Sequence, residues 1–230
     1  MEQDFYGNTI EDQRAESVFI HESSYVDAPC RIGANTSILH FSHVMANSII
    51  GDNCYIGHNV TIASGVMLGN DVRVNNNALL NSGVIMEQGV YCGPSTIFAQ
   101  GNHVRAASGP ISRVSPTLVK QGAKIGANTT VASGHTIGRF AFIEAGSVID
   151  SHVPDFAIIF GNPLKFGGWQ CECGQALRFA RDTSQKHTDC ERCGRVYRQD
   201  SKWKIILVSE EANPIDPYSG FDPPVSGTQA

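Results

Sequence analysis

Residues 38–62 read ILHFSHVMANSIIGDNCYIGHNVTI. Within them Ile38, Val44, Ile50, Ile56 and Ile62 recur at every sixth place. The series runs back through Ile32, Val26 and Ile20. It runs on through Leu68, Val74, Leu80, Met86, Cys92 and Phe98, and it is apolar throughout. Four places after these residues stand small or β-branched ones: Cys30, Thr36, Ser42, Ser48, Cys54, Val60 and Val66 among them. A period of six is neither the helical nor the simple strand period. It is a hexapeptide repeat, each unit one short strand and one turn of a β-helix.

Three hexapeptides close one triangular coil, so residues 18 apart stack on one another, with strands about 4.8 Å apart. Such sequences resemble the left-handed parallel β-helix, which makes the expected class mainly β. The residue after each inward apolar one is often Gly or Asn (Gly33, Gly51, Gly57, Gly69, Asn75, Asn81, Gly93). It is expected at the turn, where a positive φ favours glycine.

The repeat sets the division of the chain. Residues 1–17 are a polar lead-in, and 18–168 the β-helix domain. Residues 99–118 break the period as a polar loop insertion, after which Val119, Ile125, Val131, Ile137, Ile143 and Ile149 resume it. Loops of this length on compact domains are usually either functional or disordered; a functional loop is the reading favoured here, a neutral insertion the plain one. Residues 154–168 are expected to leave the helix as an apolar strand ending in Gly-Asn-Pro. Residues 169–208 form a four-cysteine module, and the proline-rich 209–230 tail has the composition of a disordered segment.

The bulk properties exclude some classes. A net charge of −5 argues against a general nucleic-acid binder. No apolar run is long enough to span a membrane and no signal pattern opens the chain. Cys30, Cys54 and Cys92 fall on inward positions as small core residues. Nothing calls for disulfides, so a reducing cytoplasm is the expected compartment.

The register also assigns chemistry. His40, His58 and Asn76 lie two places after inward residues and 18 apart, so they form one outward column; Phe41, Asn59 and Asn77 form its neighbour. The plain reading is a surface ladder of hydrogen bonds; two histidines beside three asparagines favour a ligand-binding face. His103, in the loop, suits a general base near neutral pH. His135 takes an inward or corner position, where a hydrogen-bonded structural role is expected. Ala132, Ser133 and Gly134 beside it offer exposed backbone for a long thin ligand. Cys171, Cys173, Cys190 and Cys193 come as two close pairs followed by glycine. Four thiolates suit a closed, structural zinc site.

Several segments carry a resemblance: Ile38-Leu39-His40-Phe41-Ser42-His43-Val44, Ile56-Gly57-His58-Asn59-Val60, Asn76-Asn77, Cys92-Gly93-Pro94-Ser95 and Gly161-Asn162-Pro163. They resemble the hexapeptide N-acetyltransferases of nucleotide-linked amino sugars. The similarity is greatest to those acting on UDP-2-acetamido-3-amino-2,3-dideoxyglucuronate, with enzymes for dTDP-3-amino-3,6-dideoxyhexoses as close cousins. The resemblance implies a homotrimer with active sites between subunits. It implies acetyl-CoA along the later coils, against Ala132, Ser133, Gly134, Arg139, Asn162 and Lys165. It places the sugar nucleotide against His40, His58, Asn59 and Arg105, with Asn76 or Asn77 orienting the amine or the thioester oxygen and His103 accepting the proton. Arg105, Lys120 and Lys165 are phosphate partners by charge. Where such enzymes often have Phe-Thr-Asn and a Pro-Arg pair, this chain has Phe98-Ala99-Gln100 and Val104-Arg105, which leaves the sugar open. The rival readings are a trimeric scaffold and a metalloenzyme like the gamma-class carbonic anhydrases.

Overall fold

The computed structural model describes residues 10–100, 115–179 and 186–209. They form two compact units that divide between Trp169 and Gln170. The described residues contain strands and turns and no helix.

The first unit is a parallel β-solenoid of three faces. The first face runs from Gln13–Arg14 to Thr136–Ile137, and the third from Tyr25–Val26 to Val148–Ile149, each in seven strands. The second starts at Phe19–Ile20 and passes through Phe142–Ile143 to Ala157–Phe160. Pairing follows the 18-residue step on every face: Arg31 with Ile49, Ser37 with Tyr55, His43 with Thr61. The register reaches back to Gln13–Arg14, which pairs with Arg31–Ile32.

The sixfold apolar series fills the interior. Ile38, Val44, Ile56, Ile62, Leu80, Val131, Ile137 and Ile143 are fully buried, as are Cys30 and Cys92, with Cys54 nearly so. Burial pushes the Cys92 thiol up to about 12, which keeps it a protonated, inert core group. Hydroxyls one step further along carry the polar accounting. Thr36 Oγ1 donates to the Gly51 carbonyl at 2.8 Å and accepts from the Cys54 amide at 3.0 Å. Ser42 does the same with Gly57 and Val60. Each buried hydroxyl is thus satisfied while tying one coil to the next.

The turn differs from the sequence expectation in its phase. The left-handed residue is the third after each inward one: Asn35, Asn47, Asn53, Asn59, Asp71, Asn77 and Asn128 all have positive φ. The glycine directly after the inward residue has another cause. A Cβ on Gly126 would lie 2.5 Å from the Ala145 amide nitrogen of the next coil. Stacked backbones leave no room there, so glycine is kept for close approach rather than for φ. Gly126→Ala is therefore expected to cost about 1–3 kcal/mol through overpacking, read as a lower melting temperature by circular dichroism.

The three edges matter for function. The edge between the second and third faces carries His40 and His58 and is called here the histidine edge. The edge between the third and first faces carries the insertion and is the loop edge. There Met86 pairs with Val119, thirty-three residues on instead of 18, so fifteen residues are added without disturbing the register. The remaining edge carries Arg139.

The end of the solenoid is a second difference. Residues 157–160 do not leave the helix: Ile158 and Ile159 pair in parallel with Phe142 and Ile143. Lys165–Gln170 then returns antiparallel along that strand. The second unit contains a three-stranded antiparallel sheet of His187–Asp189, Val196–Ser201 and Lys204–Ser209.

Candidate active site

On the histidine edge the outward column is present. The His40 and His58 rings lie with centroids 4.9 Å apart. The His58 amide donates to Asn76 Oδ1 at 2.9 Å, and Asn59 Nδ2 donates to Asn77 Oδ1 at 3.0 Å. Both acceptor oxygens thus face the previous coil; Asn76 and Asn77 are exposed, and their NH2 groups can still donate. The oxygen's role is a general device of this solenoid: Asp52 Oδ1 accepts from the Ala34 amide on another edge in the same way. What distinguishes the histidine edge is the imidazoles beside those donors.

The structure adds His21 to this group. Its ring stacks on His40 with centroids 3.4 Å apart and planes at 27°. It lies one place, not two, after Ile20, so a search confined to one column passes over it. The 18-residue register would have placed it on the same edge. Phe41 is 69% exposed and has a positive φ, which a bulky residue rarely adopts; its ring lies beside His40. His43, the second histidine of the His-Phe-Ser-His segment, lies on the third face and hydrogen-bonds Asp27 Oδ2 through Nε2 at 3.0 Å.

The other sequence candidates lie elsewhere. Ala132, Ser133 and Gly134 form the loop edge of the coil after the insertion, and the Gly134 amide donates to Thr117 Oγ1 where the chain returns from the loop. His135 Nδ1 donates to the Ala132 carbonyl at 3.1 Å. Ser48 and Ser147 make that same bond to the carbonyl three residues back. Arg139 is on the remaining edge. Its Nε and backbone amide both donate to Asp155, which Lys120 Nζ approaches at 3.8 Å. Arg139, expected against acetyl-CoA, and Lys120, expected to meet phosphate, thus both face a carboxylate of their own chain. Gly161 stacks on the histidine edge through Ser147 and Val148, so Asn162 follows directly from its upper end and Lys165 begins the return strand. His103 and Arg105 lie outside the described residues.

Within one chain the histidine edge and the Ala132–Gly134 corner are separated by the whole third face.

In the second unit all four cysteine sulfurs lie within 4.8 Å of one another. Cys171 and Cys193 approach to 3.4 Å, Cys173 and Cys190 to 3.5 Å. Tetrahedral zinc with bonds of about 2.3 Å needs sulfurs about 3.8 Å apart, so the donor set fits. Two matching turns present it: the Gly174 amide donates to the Cys171 carbonyl and the Gly194 amide to the Cys190 carbonyl, both glycines at positive φ. Tyr197 Oη donates to Cys171 Sγ and Arg195 Nη1 to Cys193 Sγ. Burial pushes the Cys171 and Cys173 thiols up. Burial pushes Cys193 the same way, but hydrogen bonds from the Arg195 backbone and from neighbouring groups outweigh it and bring this thiol down to about 7.

Comparison with known proteins gives the geometry a lineage. Residues 29–64 match the family model described as bacterial transferase hexapeptide (six repeats). Residues 48–82 and 120–151 match the hexapeptide repeat of succinyl-transferase. Over 184 residues the chain is 44% identical to the dTDP-3-amino-3,6-dideoxy-alpha-D-galactopyranose 3-N-acetyltransferase of Aneurinibacillus thermoaerophilus, covering 80% of this chain and 92% of that one. The chain belongs to the hexapeptide-repeat acetyltransferases. Solved hexapeptide acetyltransferases share the solenoid at low identity. The acetyltransferase domain of PglB from Neisseria gonorrhoeae is 21% identical with a TM-score of 0.44, over 65% of this chain and 57% of that one. A mutant of GDP-perosamine N-acetyl transferase from Caulobacter crescentus, in complex with CoA and GDP-perosamine, is 21% identical with a TM-score of 0.43, over 71% and 59%. With TM-scores below 0.5 these add nothing to the assignment, which rests on the sequence match.

Proposed function

We propose that this hexapeptide-repeat acetyltransferase transfers the acetyl group of acetyl-CoA to the amine of a dTDP- or UDP-linked 3-amino sugar, for surface polysaccharide or glycan synthesis. The observation that carries it is the 44% identity over most of the chain to an enzyme of that name. The half-buried His40 and His58 beside the exposed Asn76 and Asn77 on one edge of the solenoid are in keeping with it. The amine nitrogen attacks the thioester carbonyl, forming the C–N bond, and the C–S bond breaks to release CoA. The NH2 group of Asn76 or Asn77 donates to the oxygen that gains charge. The proton lost from nitrogen goes to His103 or to the departing sulfur. Holding amine and thioester in one cleft supplies much of the rate by proximity.

The finer parts of the reading follow the same line. A homotrimer would bring the histidine edge of one subunit to the Ala132–Gly134 corner of the next. The outward residues Ile49, Met67, Ile85 and Leu118 of the first face and Leu79 and Ile97 of the third give apolar surface for that packing. The cysteine cluster holds structural zinc, as a zinc-ribbon-like module. A cytoplasmic location agrees with free thiols, and no helix among the described residues is long and apolar enough to cross a membrane. Among the described residues the four cysteines are the one group of three or more His, Cys, Asp or Glu side chains close enough to hold a metal.

The test is a panel of dTDP- and UDP-linked amino sugars with acetyl-CoA, followed by free-thiol release. Turnover is expected with a 3-amino sugar. No thiol release with any of them, together with no CoA binding by calorimetry, would favour a scaffold.

A further inference from the structure

His21 has no place in the reading above, yet it makes the tightest ring contact on the histidine edge. Its Nδ1 accepts from the Ser23 amide at 3.2 Å and lies 2.9 Å from Ser23 Oγ. Ser23 Oγ in turn accepts from the Phe41 amide at 3.1 Å. These bonds hold the His21 ring through Nδ1. The ring is thereby fixed in place, 3.4 Å from His40.

His40 lies between His21 and His58, at 3.4 and 4.9 Å between centroids. Its Nδ1 is enclosed and has no hydrogen-bond partner. Two stacked imidazoles cannot both carry charge without strong repulsion. The groups that face His40 are His21, His58 and, with opposite effect, Glu22; burial first and the two histidines next hold the His40 ring below the usual histidine range.

We propose that His21 is a positioning residue: stacked on His40, it keeps that ring neutral and in one orientation, so that the histidine edge meets its ligand with neutral hydrogen-bonding groups instead of a cation. The ligand chemistry that fits such an edge is the hydroxyl and amine groups of the amino sugar, and not the diphosphate. This rests on the amino-sugar reading of the site, and it assigns the two ends of that substrate: the sugar faces the imidazoles, and the diphosphate is held by cations elsewhere.

Two variants test it. His21→Phe keeps a stacked ring and removes the titrating group. His21→Asn keeps an acceptor for the Ser23 amide and removes the stack. Proton NMR of the histidine rings in the full-length protein, without ligand, is expected to show His40 titrating at higher pH in both variants than in the native chain. The KM for the sugar nucleotide is expected to rise severalfold near pH 6 and to stay close to native at pH 8.5, with the KM for acetyl-CoA unchanged at both. An unmoved His40 titration in both folded variants would overturn the proposal. So would a loss of the same size at every pH, which marks a merely structural ring. If the native protein transfers no acetyl group, the functional reading fails, while the ring titration still decides whether His21 sets the charge of His40.

Discussion

Asn76→Asp is expected to leave the protein folded and to lower kcat for acetyl transfer about 10²–10³-fold, the scale seen when one oxyanion donor is removed. The substitution separates two roles of one side chain. Asn76 Oδ1 accepts from the His58 amide at 2.9 Å, and a carboxylate can do this too, as Asp52 does for Ala34 at 2.7 Å. The carboxylate cannot donate, and its charge opposes the oxyanion, so both changes act against the transition state. Asn76→Ala would remove the turn bond as well, and its additional loss of stability should be about 0.5–1.5 kcal/mol. The measurements are steady-state kinetics and thermal melting of both variants. A full rate in folded Asn76→Asp would reduce Asn76 to a turn cap and leave the donor's role to Asn77, whose oxygen is held by Asn59 in the same sense.

Cys190→Ser is expected to abolish zinc binding and to unfold the second unit. Structural zinc contributes on the order of 10 kcal/mol of apparent binding free energy in small modules, more than so small a sheet can supply from its own core. Cys190 is one of four sulfurs within 4.8 Å, and the loss of one opens the coordination sphere. Metal analysis should give one zinc per native chain and none in the variant. Limited proteolysis should cut the variant within the region of Gln170 to Ser209 and spare the solenoid. Zinc retained at one per chain would show that this cluster is not where it binds.

How far the sequence reaches is visible in particular residues. The apolar period located all three faces, because a solenoid repeats one environment and a single period encodes it. It also put Cys30, Cys54 and Cys92 inside and His40, His58 and Asn76 on one edge. It did not give the phase of the turn. Gly57 and Asn59 both look like turn residues, and only coordinates show that one avoids a clash while the other takes positive φ. The last strand reads from the sequence as leaving the solenoid because Ile143 pairs with Ile159, sixteen residues on, so the period no longer points to it. Lys120 reads as a phosphate ligand by charge and Arg139 as an acetyl-CoA contact by resemblance, but Asp155 is a neighbour made by the fold and invisible in spacing. His21 was hidden for the opposite reason: it obeys the register but stands one column aside.

The fifteen extra residues between Met86 and Val119 have a consequence beyond the fold. Because the pairing resumes in step, the solenoid is indifferent to what the added segment contains. The entropy of closing a loop grows by only about 0.6 kcal/mol for each doubling of its length. The segment is therefore an exchangeable cassette on a rigid spindle. Descendants of one ancestral coil can trade it, lengthen it or rewrite it without learning to fold again.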